Sequence, residues 1–384
     1  MHVILALVGV ALILLVLIDG FEAIILPRRV THRYRLTRFF YRSTWSVWRR
    51  AGGLFPRARY REAFLSLFGP LSLLVLFALW FATLIFGFAL VQWSLQTVIQ
   101  TTVAKESVPP VGFATYWYLS GTTFFTLGYG DVAPVSWLGR VLAVVESGIG
   151  FGSIAVIISY LPVLYQAFSQ RERLIGLLDA RAGSPPTAGE FVMRLARAKN
   201  LPAADAFLQE WERWAAELLE IHLSFPVLSY YRSQHDNQSW LAALATVLDT
   251  CSLAMVGIKG VDRYQAQLTF AMARHATVDL AMVFWTPPQT PPEERLPCER
   301  LQRLLSALAE SGCDSCELGV AQKKLAQLRE MYEPFLYGLS RYFQVTLPPI
   351  IAEKSGVDNW QTSAWMKRTP GIGLLPSTED EHFY

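Results

Sequence analysis

The sequence predicts an all-α membrane protein whose first half is membrane-like and whose second half is a helical soluble domain. Three observations carry that reading. Of 384 residues, 52% are hydrophobic and only 17% charged, where a soluble chain carries about a quarter. From Ala63 to Ala104 there is no Lys, Arg, Asp or Glu, whereas charges return at ordinary density after Ser169. The net charge of +3 also divides unevenly, with +7 on residues 1–168 and −4 on residues 169–384.

The first element is a transmembrane helix over residues 1–26. Val3 to Ile18 is apolar without a break, and Asp19, Gly20 and Glu22 are the interruptions before Leu26; roughly 20 such residues cross a bilayer. The stretch lacks the basic start and A-x-A ending of a secretory signal, so a retained helix is expected, its acidic end near an interface. Residues 27–62 follow as a basic segment with eleven arginines, from Arg28 to Arg61. By the positive-inside rule they place this connection in the cytoplasm and the N-terminus outside. The mixture "LTRFFYRSTWSVWRR" suits a helix lying in the headgroup layer over anionic lipid, and a plain topology signal fits it equally well.

A second transmembrane segment is expected from about Phe68 to Trp93. A polar external loop with Lys105, Glu106 and Pro109-Pro110 follows, and a third segment from about Trp137 to Tyr165 returns the chain inward. Between them, "FATYWYLSGTTFF" is apolar enough to enter a membrane but too short to cross it. It reads as a re-entrant half-helix followed by non-helical backbone, which membranes tolerate only where protein or a watery cavity surrounds it.

That backbone is Thr126-Leu127-Gly128-Tyr129-Gly130-Asp131. Stripping water from a cation requires successive carbonyls aimed at one axis, and an all-L strand alternates them instead. Left-handed residues are therefore needed, and glycine supplies them without steric cost; Gly128 and Gly130 fall at alternate places. Tyr129 is expected to point away and brace against Tyr116, Trp117 or Tyr118. The string closely resembles the selectivity filter of potassium channels, T-V-G-Y-G followed by Asp, and the resemblance covers roughly residues 68–167.

It implies a pore module over residues 63–168 made of outer helix, pore helix, filter and inner helix. The carbonyls of Thr126, Leu127, Gly128 and Tyr129, with the Thr126 hydroxyl, would hold K⁺; Gly130 would complete the filter and Asp131 would sit at the outer mouth. Leu127 departs from the usual Val, and Thr122 stands where some bacterial relatives carry a buried Glu. One chain supplies one filter strand and a closed ring needs four, so a homotetramer is expected.

On the inner helix, Gly150 aligns by resemblance with a gating hinge, while Gly148 and Gly152 form a G-x-x-x-G suited to close packing. Pro162 removes a backbone hydrogen bond and is expected to bend the helix. Glu146, an intramembrane acid and so a functional candidate, either faces the cavity or hydrogen-bonds behind the filter near Thr122 or Thr123.

The cytoplasmic half, residues 169–366, reads as amphipathic helices, opened by a Thr187/Glu190 capping box and broken at 183–186 and 286–297; a disordered tail is expected at 367–384. His222, Tyr230, Tyr231, Arg232, His235 and Asp236 are candidates for a ligand pocket or a subunit contact. Cys313 and Cys316 form half of a zinc pattern without a clear fourth ligand. No G-x-G-x-x-G is present, and nothing calls for a nucleic acid, a cofactor or enzymatic chemistry. The expectation is a multi-pass potassium channel of the cell membrane, conducting passively. A non-selective cation channel and a membrane-anchored sensor with a borrowed pore module are the alternatives.

Overall fold

The computed structural model describes residues 2–26, 36–101, 112–233, 238–258, 260–291, 293–313 and 317–352. Arg28, Arg29, Arg33, Arg35, the loop around Lys105, His235, Asp236, Cys316 and the expected tail lie outside the described residues. The chain divides into two compact units, residues 1–165 and 166–384, against an expected border at 168/169. Three helical stretches, His2–Ile25, Ala58–Ser94 and Trp137–Ala182, are long and apolar enough to cross a membrane.

In the first unit, α1 (His2–Gly20) continues as a π-turn over Phe21–Ile25 and packs along α4 (Phe68–Ser94). The two run antiparallel, because His2 meets Trp93, Gly9 meets Gly87 and Asp19 meets Trp80. Their crossing is close: a Cβ on Gly9 would lie 2.7 Å from the Gly87 carbonyl oxygen. Small residues permit such contacts where no hydrophobic force drives helices together. Asp19 is buried at the other end and ties three elements, accepting hydrogen bonds from Thr37 N (3.2 Å), Thr37 Oγ1 (2.6 Å) and Trp80 Nε1 (3.1 Å).

Between α1 and α4 lie α2 (Leu36–Gly52) and α3 (Ala58–Ser66). Trp48 stacks on Phe64 at 4.4 Å and donates to its carbonyl, while Trp45 packs on Phe68. The short helix α5 (Phe113–Phe124) packs on α4, and α6 (Trp137–Ala182) follows, unbroken through Pro162. A two-stranded ribbon that the helical reading did not anticipate pairs β1 (Ile99–Thr101) with β2 (Val132–Pro134), Gln100 opposite Ala133. It closes the loop around α5.

The second unit holds the end of α6 with α7 (Ala188–Arg197), α8 (Ala203–Ser224), α9 (Trp240–Gly257), α10 (Arg263–Val283), α11 (Cys298–Glu310), α12 (Leu318–Glu330) and α13 (Glu333–Phe343). Thr187 caps α7 by accepting from Glu190 N at 3.3 Å. The amphipathic period expected of α9 does not hold, since every residue from Trp240 to Val256 is buried. Its hydroxyls survive burial by bonding backwards, as Thr246 does to Ala242, Thr250 to Thr246 and Ser252 to Leu248, which a helix permits. Asp249 is paired with Arg295 at 2.7 Å and accepts from Tyr332 at 2.6 Å. Such pairs tolerate burial only when fully hydrogen-bonded.

Of the residues considered for a ligand pocket or subunit contact, His222, Tyr230, Tyr231 and Arg232 lie at a junction of α6, α8 and α13. Arg171 of α6 is buried and donates to the carbonyls of Leu228 (2.8 Å) and Tyr231 (3.1 Å). His222 faces Arg171 across 3.3 Å and bonds Leu218 O through Nδ1 at 2.7 Å. Tyr230 packs on Phe343, and Arg232 donates to the Phe343 carbonyl. Burial first, and the Arg171 charge second, push the His222 imidazole down from 6.5 to about 3.

The unfolded chain therefore binds a proton that the folded one refuses, so this contribution is complete above pH 6.5 and is lost as pH falls toward 3. Thermal unfolding of the detergent-solubilised chain is expected to show a stability loss approaching about 1.4 kcal/mol per pH unit from this one group. His222→Gln is expected to remove that component. Cys251 is fully buried, and burial raises its thiol, which leaves it unreactive. Among the described residues no group of three or more potential ligands could hold a metal.

Candidate functional site

The site begins where α5 ends. Thr126 N donates to Thr123 O (3.0 Å) and Leu127 N to Thr122 O (2.8 Å). These two bonds, with Thr126 at φ 57°, make a Schellman cap. A β-branched residue rarely takes that conformation, so Thr126 is a left-handed position that the residue types did not announce. Gly128 (φ 56°) and Gly130 (φ 77°) repeat it at alternate residues. Left-handed conformation at positions 126, 128 and 130 is the dihedral alternation that brings successive carbonyls to one side of a strand.

Asp131 follows at once. Its Oδ2 accepts from Tyr118 of α5 at 2.8 Å and its Oδ1 from Val132 N at 3.0 Å, tying the end of this strand back to α5. The aromatics considered as braces for Tyr129 are otherwise engaged. Tyr118 holds Asp131, Tyr116 donates to Thr97 O at 2.7 Å, and Trp117 sits against Phe86 and Phe113. Tyr129 itself is 67% exposed in the single chain.

Behind the strand, Glu146 of α6 is fully buried. It bonds the hydroxyl of Ser120 on α5 and accepts from Gln92 Nε2 of α4 at 3.2 Å. Its partners are thus Ser120 and Gln92 rather than Thr122 or Thr123. Ser120 Oγ also lies 2.8 Å from Ile85 O, so one polar cluster joins α4, α5 and α6. Glu146→Ala is expected to cost about 3 kcal/mol, opening a cavity and leaving buried Gln92 Nε2 without its acceptor while Ser120 keeps the Ile85 carbonyl. Glu146→Gln, which keeps polar atoms there, is expected to lose less than half of that. Thermal unfolding in detergent measures both.

Gly150 is where α5 and α6 touch. A Cβ there would lie 2.0 Å from the carbonyl oxygen of Phe124, the last residue of α5. No atom lies within 4 Å of the corresponding positions at Gly148 and Gly152. Within the single chain it is therefore Gly150, rather than the G-x-x-x-G pair, that permits the close approach of α5 to α6.

A short helix and a segment of alternating left-handed residues thus follow one another between the two long apolar helices α4 and α6. Residues 73–166 match the family model described as "Ion channel", and the chain carries an ion-channel domain there. It is 28% identical over 201 residues to an uncharacterized membrane protein, YdjJ, of Bacillus subtilis, a match covering 52% of this chain and 57% of that one. It is 34% identical over 87 residues to the protein LctB of Bacillus caldotenax, covering 21% of this chain and 63% of that one. The chain thus spans little more than half the length of the curated relatives it matches. No solved structure matches it.

Proposed function

We propose that the protein is a K⁺-selective channel in which four copies bring Thr126-Leu127-Gly128-Tyr129-Gly130 together around one axis. The observation that carries this reading is the alternation of positive φ at Thr126, Gly128 and Gly130. In a ring of four, the carbonyls of Thr126, Leu127, Gly128 and Tyr129 would replace the hydration shell of a dehydrated K⁺, with the Thr126 hydroxyl below them and Asp131 at the outer mouth. The negative C-terminal end of α5 would favour a cation in the cavity beneath. Conduction is passive and makes or breaks no covalent bond, so neither an enzyme activity nor a cofactor is part of the proposal.

The homotetramer is supported by a stripe on α6: Val144, Phe151, Ile158 and Tyr165, seven residues apart, are 65–73% exposed in the single chain. A heptad-spaced apolar stripe suits packing against further helices. The arginines of residues 28–61 support an orientation with the N-terminus outside and the helical domain in the cytoplasm, in the cell membrane. Regulation by that domain is part of the proposal, because α6 carries both the Gly150 contact and the clamped Arg171. K⁺ and Na⁺ fluxes through the purified protein in liposomes test the reading.

A further inference from the structure

Of the four arginines of α2, Arg38, Arg42 and Arg49, at i, i+4 and i+11, share one face, Arg50 stands on the side of the apolar residues, and Arg57, Arg59 and Arg61 follow along the chain. Leu36, Phe39 and Val47, at i, i+3 and i+11, form a second, outward face; Phe39 is 72% and Val47 66% exposed. The third face is spent on the protein, through Tyr41, Trp45 and Trp48. Glu62 is the sole acid between residues 36 and 62.

The position of α2 is fixed as well. Because α1 and α4 run antiparallel, the chain between them returns on one membrane face. Asp19 holds Thr37 at the start of α2, and the indoles of Trp45 and Trp48 hold its later turns to Phe68 and Phe64. A helix pinned at a bilayer surface with an apolar stripe beside a guanidinium row has two complementary layers to meet, acyl chains and headgroup phosphates. Arginine matches phosphate oxygens with two parallel hydrogen bonds.

We propose that α2 forms a binding surface for anionic phospholipid, in which Arg42 and Arg49 hold headgroup phosphates while Leu36, Phe39 and Val47 enter the acyl layer. The bound lipid would then brace the membrane entry of α4, against which α5 is packed. This inference rests on the helices crossing a membrane and not on K⁺ selectivity, and its test involves no ion flux.

The full chain in neutral detergent is titrated with phosphatidylglycerol or phosphatidylcholine of matched acyl chains, and bound lipid is counted by native mass spectrometry. Wild type is expected to prefer phosphatidylglycerol by at least about tenfold, a preference that shrinks as salt screens the charges. With each arginine near an anionic surface counting for about a factor of five, Arg42→Gln with Arg49→Gln is expected to weaken phosphatidylglycerol binding roughly thirtyfold. Phosphatidylcholine binding stays as it was, and the paired Arg→Lys variant keeps most of the preference. Equal binding of the two lipids by wild type, or an unchanged preference in the Gln variant, overturns the proposal. Displacement of phosphatidylglycerol by equimolar glycerol phosphate also overturns it, since that marks a site for a soluble anion.

Discussion

Gly130→Ala is expected to abolish ion flux while leaving the protein folded and assembled. Gly130 sits at φ 77° with no atom within 4 Å of where a Cβ would be, so the obstacle is conformational and not steric. An L-residue held left-handed costs about 1–2 kcal/mol, and in the proposed ring the cost recurs in each copy at the same level of the pore. The strand is expected to relax by turning the peptide, which removes a carbonyl from the axis in all four copies. Liposome flux reads the loss, and size-exclusion chromatography confirms that assembly is intact. Normal K⁺ flux in this variant contradicts the filter assignment.

Gly150→Ala is the converse case and is expected to have the larger effect on stability. Its backbone is ordinary helix, but the added Cβ would stand 2.0 Å from the Phe124 carbonyl oxygen, and a carbonyl at a helix end cannot rotate aside as a side chain does. Overpacking of this kind costs about 3 kcal/mol or more. Moving α5 off α6 would also disturb the Ser120–Glu146–Gln92 cluster that joins them. A large fall in thermal stability in detergent, together with lost flux, is the expected result. A stable Gly150→Ala protein with altered opening would instead support the hinge reading. Gly148→Ala and Gly152→Ala, where no atom is within 4 Å, are expected to be mild.

These two glycines show what could be read from the residues. The need for left-handed positions in the proposed filter strand follows from backbone stereochemistry, so the positive φ at Gly128 and Gly130 was legible. Thr126 was not, because its cap is closed by backbone groups alone and threonine carries no preference for it. Length and apolarity located α4 within a residue at either end, and the buried acid was legible as a candidate because few ionisable groups enter a membrane. Its partners, 26 and 54 residues away, leave no local pattern. The Asp19 staple, reaching across 61 residues to Trp80, was hidden for the same reason. On α9, threonines and serines imitate a polar face, yet their hydroxyls bond the preceding turn and need no water. Spacing alone therefore misread a central helix as a surface one.

The central claim is selectivity. Purified protein reconstituted in liposomes is presented in turn with outward K⁺ and Na⁺ gradients under otherwise equal conditions. The account predicts rapid K⁺ flux with little Na⁺ flux, lost together in Gly130→Ala. Equal K⁺ and Na⁺ fluxes would contradict it.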